Sequence, residues 1–184
     1  MRTSLCLSLL FISHACFAAQ PSSEAPKSSW AFTFENDVFV NSDNNYTDGV
    51  QVEWSRVGKV DGGERSLLDW LCRGFACNSG ADVTRRTKIG QLMYTPNDIT
   101  IAAPQPDQRP WAGLLYLERS YDVPKGDARA MTYTGLVGIT GQHALTEQAQ
   151  KLIHKRITHS PEPKGWDNQI GTSLGLLASV RDRR

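Results

Sequence analysis

Two-residue alternation begins just after Ser28. Trp30, Phe32 and Phe34 alternate with Ala31, Thr33 and Glu35, and further on Val50, Val52 and Trp54 alternate with Gln51 and Glu53. Successive side chains of a strand point to opposite faces, so these stretches predict strands with one oily side and one polar side. Less regular stretches at 87–95, 111–122, 128–139 and 169–180 bring the expected number of strands to about six. Asn41–Ser42–Asp43–Asn44–Asn45, between the first two, is rich in the Asx residues that favour turns. Pro96, Pro104, Pro106 and Pro110 exclude a central strand from 96–110. Residues 57–86, with many Gly and charged residues, read as a connection. Helical spacing occurs at 144–154, where Leu145, Ala149, Leu152 and Ile153 form an apolar stripe. With no internal repeat, the pattern predicts an all-β, antiparallel fold carrying one short helix.

The first residues are of another kind. Arg2, the apolar run from Cys6 to Ile12 and the small residues Cys16 and Ala18 predict a secretory signal over 1–18. A Ser-, Pro- and Ala-rich lead-in over 19–28 follows, and the β domain is expected over 29–184. Export decides how the cysteines read. Cys72 and Cys77 remain after the signal, and in an oxidising compartment so close a pair is expected to form a disulfide. No nearby His or third Cys completes a zinc set.

Composition then removes whole classes. With 40% apolar and 21% charged residues, the chain is neither disordered, collagenous nor coiled coil. Lys plus Arg number 20 against 19 Asp plus Glu, so no basic excess points to nucleic acid. Beyond the signal there is no apolar run of about 18 residues, which argues against a membrane-spanning helix but not against a β-barrel. Alternation fits a soluble sandwich whose oily faces meet inside, and equally a barrel whose oily faces meet lipid.

Three polar clusters could carry chemistry. Glu35–Asn36–Asp37 closes the first strand, Tyr46–Thr47–Asp48–Gly49 opens the second, and Gln150 and His154 lie one helical turn apart. A histidine aimed into a polar pocket can take a proton from water, and carboxylate and amide oxygens can hold Ca²⁺. Solvated turn residues and a surface histidine are the plainer alternative. Gly171–Thr172–Ser173–Leu174–Gly175 matches the nucleophile elbow G-x-S-x-G, but no His follows it and no strand–helix alternation surrounds it, so the match is assigned to chance. Asp43–Gly49 resembles the start of a calcium loop, yet Trp54 stands where an EF-hand needs Glu.

Five segments in order carry a resemblance that covers most of the mature chain. They are Phe34–Glu35–Asn36–Asp37, Asn45–Tyr46–Thr47–Asp48–Gly49, Gly90–Gln91–Leu92–Met93–Tyr94–Thr95–Pro96, Arg109–Pro110–Trp111–Ala112–Gly113 and Gly165–Trp166–Asp167–Asn168–Gln169. Together they resemble the lipid A 3′-O-deacylase family of outer-membrane proteins. The resemblance implies a twelve-stranded outer-membrane β-barrel and Ca²⁺-dependent hydrolysis of the ester holding the 3′ acyloxyacyl chain of lipid A. By the family's pattern His154 is the general base, Gln150 stands beside it, and Asn36, Asp37 and Thr47 are the metal site and its neighbours. Strand parity puts Thr47 on the face of Gln51 and Glu53, and so toward the lumen.

The family's basic residue after the tyrosine–proline motif has no counterpart in 98–101, and Arg109 is the candidate substitute. Six strands are half of such a barrel, so 29–184 is expected to be its N-terminal part, a truncated or fragmentary member. Two other readings are a barrel remnant without catalysis and a soluble periplasmic β-domain that binds lipid or glycan. The expected partners are therefore lipid A and the outer membrane, with no nucleic acid.

Overall fold

The structure, a computed structural model, describes residues 27–36, 48–126 and 128–184. The expected signal at 1–18 lies outside them. The alternating stretches become β1 (Ser28–Asn36), β2 (Asp48–Gly58), β3 (Val83–Tyr94), β4 (Ala112–Pro124), β5 (Ala130–Thr140) and β6 (Leu174–Arg183). Each pairs antiparallel with its successor, in the order β1-β2-β3-β4-β5-β6. The all-β antiparallel expectation is thus met. The sheet is not closed into a barrel, and β1 and β6 form its two edges.

Residues directly opposite across a ladder share a face, so the register sorts the chemistry of the two faces. Phe32, Val52, Ile89, Leu117, Val137 and Leu176 form one row across all six strands, and each is exposed. Ile89 is 58% and Leu176 84% accessible. Trp30, stacked on Trp54 at 5.9 Å between ring centres, extends this apolar belt by one row on β1 and β2, a row that continues as Thr87 and Arg119 on β3 and β4. On the other face Lys88 lies between Glu53 at 3.6 Å and Glu118 at 3.3 Å. There too Arg86 grips Asp122 through two hydrogen bonds of 2.7 and 2.8 Å. Tyr116 donates to Gln51, which donates to Thr33, at 3.0 and 3.2 Å. An oily outward belt and a polar, cross-linked inner face are what a transmembrane β-wall requires. No helix among the described residues is long and apolar enough to cross a membrane.

One helix was not expected. Residues 57–86 hold α1 (Gly62–Cys72), which packs Leu68 and Cys72 onto Val83, Tyr121, Val123, Met131 and Tyr133 at one end of the apolar face. Its apolar positions are few, and two glycines with several charges hide them in the sequence. Cys72 and Cys77 form the expected disulfide. Glu64 accepts hydrogen bonds from Arg119 at 2.6 Å, Tyr121 at 2.9 Å and Arg85 at 3.3 Å. Burial pushes this carboxyl up, but these donors and the Arg119 charge together hold it below the ordinary glutamate range.

The sixth strand starts later than its periodicity predicts. The segment before it is captured by the β4 approach, where the Ile170 N–H donates to the Trp111 carbonyl at 2.9 Å.

Leu117→Arg places a charge in the middle of the belt and should lower unfolding free energy in phospholipid vesicles by about 2–4 kcal/mol. Thr134→Lys, on the polar face, should change it much less. Denaturant titrations showing equal costs would remove the lipid-facing assignment. A depressed carboxyl stabilises the fold above its unfolded value of about pH 4.3 and loses that contribution as pH falls further. Glu64→Gln should therefore destabilise at neutral pH, with the difference from wild type vanishing in acid.

Candidate active site

Antiparallel pairing brings the ends of three strand pairs to one side of the sheet. Asn36 pairs with Asp48, Tyr94 with Ala112, and Ile139 with Leu174. Asn36, Asp48, Met93 and Gly113 also occupy one register row of the apolar face. The segment between β5 and β6 carries the expected helix at this end, in three pieces. A 3-10 turn (Gly141–Ala144) leads into α2 (Thr146–Ile153), and a π-helical turn (His154–Thr158) follows.

Helix α2 is seated on the outer face. Thr146 rests directly over Gly113, where any Cβ would collide with its side chain. Gln91 of β3 donates to the Ala144 carbonyl at 2.6 Å and fixes the entry to the helix. Leu145 adopts a left-handed φ of 58° at that junction, an unfavourable conformation for leucine that these contacts impose. Trp166 donates its indole N–H to the Gln150 side-chain oxygen at 2.7 Å, and both residues are buried. Trp111 packs against Trp166 with ring centres 4.9 Å apart, and both cover Met93. Gly165 is required here because a Cβ would strike the Trp111 ring.

The apolar stripe read from the sequence faces mostly the other way. Ala149 packs on the tryptophan cluster, but Leu145 and Leu152 are 52% and 60% exposed, while Thr146 meets the sheet at Gly113 and Gln150 is buried against Trp166. Periodicity finds the two faces of a helix but does not say which one meets protein when the surroundings are lipid.

His154 follows directly on α2. Its Nδ1 lies 2.6 Å from the Pro161 carbonyl oxygen. A carbonyl only accepts, so Nδ1 carries the hydrogen and the neutral ring presents its lone pair at Nε2. Lys151 is no competing base, because its hydrogen bond to Glu147 at 2.7 Å raises its pKa. Asp37 and Thr47 lie outside the described residues, as does the side chain of Asn36, and no distance links them to His154. Among the described residues no group of three His, Cys, Asp or Glu is placed to hold a metal.

Arg109 lies over the Tyr94 ring at 5.3 Å, in an open groove of about 580 Å³ that includes Pro110, Ala112 and Ile170. Asp98 accepts from the Thr100 hydroxyl and N–H at 2.6 and 2.9 Å, which is a local turn. Ser173 ends the approach to β6, its N–H donated to Thr140, so the G-x-S-x-G match is no strand–turn–helix elbow.

What composition and periodicity missed is the seat itself. Gln91, Met93, Trp111, Gly113, Gly165 and Trp166 were singled out only as pieces of motifs, and all of them bind or support α2. Gln150→Leu should leave the buried Trp166 N–H without an acceptor and cost about 1–3 kcal/mol, whereas Gln150→Glu keeps the acceptor. Near-ultraviolet circular dichroism and denaturant midpoints read both effects, and an unperturbed Gln150→Leu would show that this bond does not hold the helix.

No curated protein and no solved structure matches the chain. A family model described as outer membrane protein LpxR matches residues 5–184, and the chain belongs to that family of outer-membrane lipid A 3′-O-deacylases.

Proposed function

We propose that this LpxR-family chain hydrolyses the 3′ acyloxyacyl ester of lipid A with His154 as general base, working at the outer face of its sheet. The observation that carries the reading is the 2.6 Å bond from His154 Nδ1 to the Pro161 carbonyl. It fixes the tautomer a base needs, with Nε2 open to a water molecule. A second feature suits a lipid substrate: Ile157, in the same π-helical turn as His154, is 72% exposed, and Leu145 and Leu152 are exposed on the far side of α2. Acyl chains could lie against them.

In this reading Nε2 takes a proton from water as the water oxygen attacks the ester carbonyl carbon. The bond from that carbon to the sugar oxygen then breaks, and the imidazolium returns the proton to the sugar oxygen. Gln150, its oxygen engaged by Trp166, acts by holding the helix and so by positioning His154. Asn36, Asp37 and Thr47 offer only hard oxygen donors, the class Ca²⁺ takes, and would hold that ion. Asn36 shares its register row with Gly113, the seat of α2. Bound there, Ca²⁺ supplies a Lewis acid that stabilises charge on the ester oxygen. Arg109 is the cation proposed to meet a lipid A phosphate.

Mass spectrometry of lipid A from cells expressing the full reading frame tests this. Wild type should release the acyloxyacyl group, and His154→Ala should slow release by about 10²–10⁴-fold. Equal lipid A profiles for wild type, variant and empty cells would end the proposal.

A further inference from the structure

At the end of the sheet away from α2, two arginines face each other. Arg56 of β2 and Arg85 of β3 are direct partners in the register and so share the outer face. Like charges directly opposite on a sheet repel, and an anion between them would relieve that cost. Glu64 answers Arg85 through one amino group at 3.3 Å, but the Arg85 Nε is buried without a partner. Lys59 is answered by Asp82 at 3.5 Å. Arg56 and Lys27 have no ion pair or side-chain hydrogen bond among the described residues. These four cations, with Asp82, line a cleft of about 450 Å³.

Position narrows the ligand. Arg56 lies one row below the stacked Trp30–Trp54 pair and two rows below the exposed Phe32–Leu176 row. Four residues at about 3.4 Å each, tilted by about 40°, set it about 10 Å below the belt's centre. That is close to the edge of an apolar band about 25 Å tall, where headgroups begin. Trp70 of α1 is exposed at this same end of the sheet, as interfacial tryptophans are.

We propose that Lys27, Arg56, Lys59 and Arg85 form a binding site for the phosphodiester headgroup of an anionic glycerophospholipid, whose acyl chains run along the apolar belt. With α2 at the lipid A end, this site belongs to the opposite leaflet, which is rich in phospholipid. The headgroup depth rests on the apolar belt, and the choice of leaflet rests on the proposed function at α2. A free phosphate could satisfy the cations but has no use for the adjoining oily rows.

Native mass spectrometry of the full chain in neutral detergent, titrated with phosphatidylglycerol or phosphatidylcholine of equal acyl length, tests the proposal. Phosphatidylglycerol should bind about tenfold more tightly, and Lys27→Gln/Arg56→Gln should abolish that preference. Inorganic phosphate at the same concentration should not compete. Equal binding of both lipids, or an unchanged double variant, overturns the site, and competition by inorganic phosphate overturns the lipid assignment. Should the double variant misfold, the wild-type preference must still collapse on raising the salt, and its persistence would refute an ionic site. Lipid A deacylation should be unchanged in the double variant, so failure here and failure of the catalytic reading are separate results.

Discussion

A helix held against the apolar face of a membrane sheet gains little from hydrophobic burial that lipid would not also offer, so specific contacts must keep it there. In this chain that role falls to the hydrogen bond from Trp166 to Gln150 and to the close approach of Thr146 over Gly113. The bond joins the segment before β6 to the middle of α2, and the glycine lets the helix come nearer to β4 than any other residue would. Trp166 is in turn backed by Trp111, whose ring fills the space left by Gly165. Without this seat, the orientation of His154 would be set only by its own short turn.

The alternation at Trp30–Phe34 and Val50–Trp54 revealed the strands and both faces, because a period of two follows directly from strand geometry. The register that turns those faces into rows does not follow from any one strand, and it emerges only from pairing. Helix α1 was hidden because Leu68 and Cys72, its buried positions, sit in a short segment of mixed charge beside Gly62 and Gly63. The stripe on α2 was found, but a period does not say which way it faces: Leu145 and Leu152 look outward, while Thr146 and Gln150 are buried. Of the candidate site, the motif residues were legible as a resemblance and not as chemistry. Trp111 and Trp166 have no titratable group, and their contribution is the shape that carries Gln150 and His154. Asp37 and Thr47 fall outside the described residues, so their part rests on the resemblance.

The two faces divide the work by dielectric. On the inner face Glu53, Lys88 and Glu118 satisfy one another, and Asp122 gathers Arg86, Thr132 and Arg183. Such pairs are tolerable where water or other polar groups remain close, and would be expensive in hydrocarbon. On the outer face polar groups lie toward the two ends, beginning one row from the apolar row, with Gln91 on the α2 side and Thr87 and Arg119, which Glu64 answers, on the other. A lipid-facing row that is apolar across six strands leaves those ends as the places where an outer-face residue can meet a headgroup.

That division bears on the proposed base, His154, which follows a helix seated on the apolar side of the sheet. A lipid reaches a membrane protein by lateral diffusion, its acyl chains already against the oily rows. To enter the lumen it would have to carry those chains past the ion pairs of the inner face, exchanging hydrocarbon contact for charged surface. In the proposed reading, a base on an outer-face helix avoids that transfer, because the scissile ester would arrive at headgroup depth beside exposed Ile157. The same geometry demands that the base be held by protein alone, since lipid offers no hydrogen bonds to orient an imidazole. The Pro161 carbonyl meets that demand, and a change that removed it, by shifting the turn after the left-handed His159 (φ 53°), would free the ring to take the other tautomer.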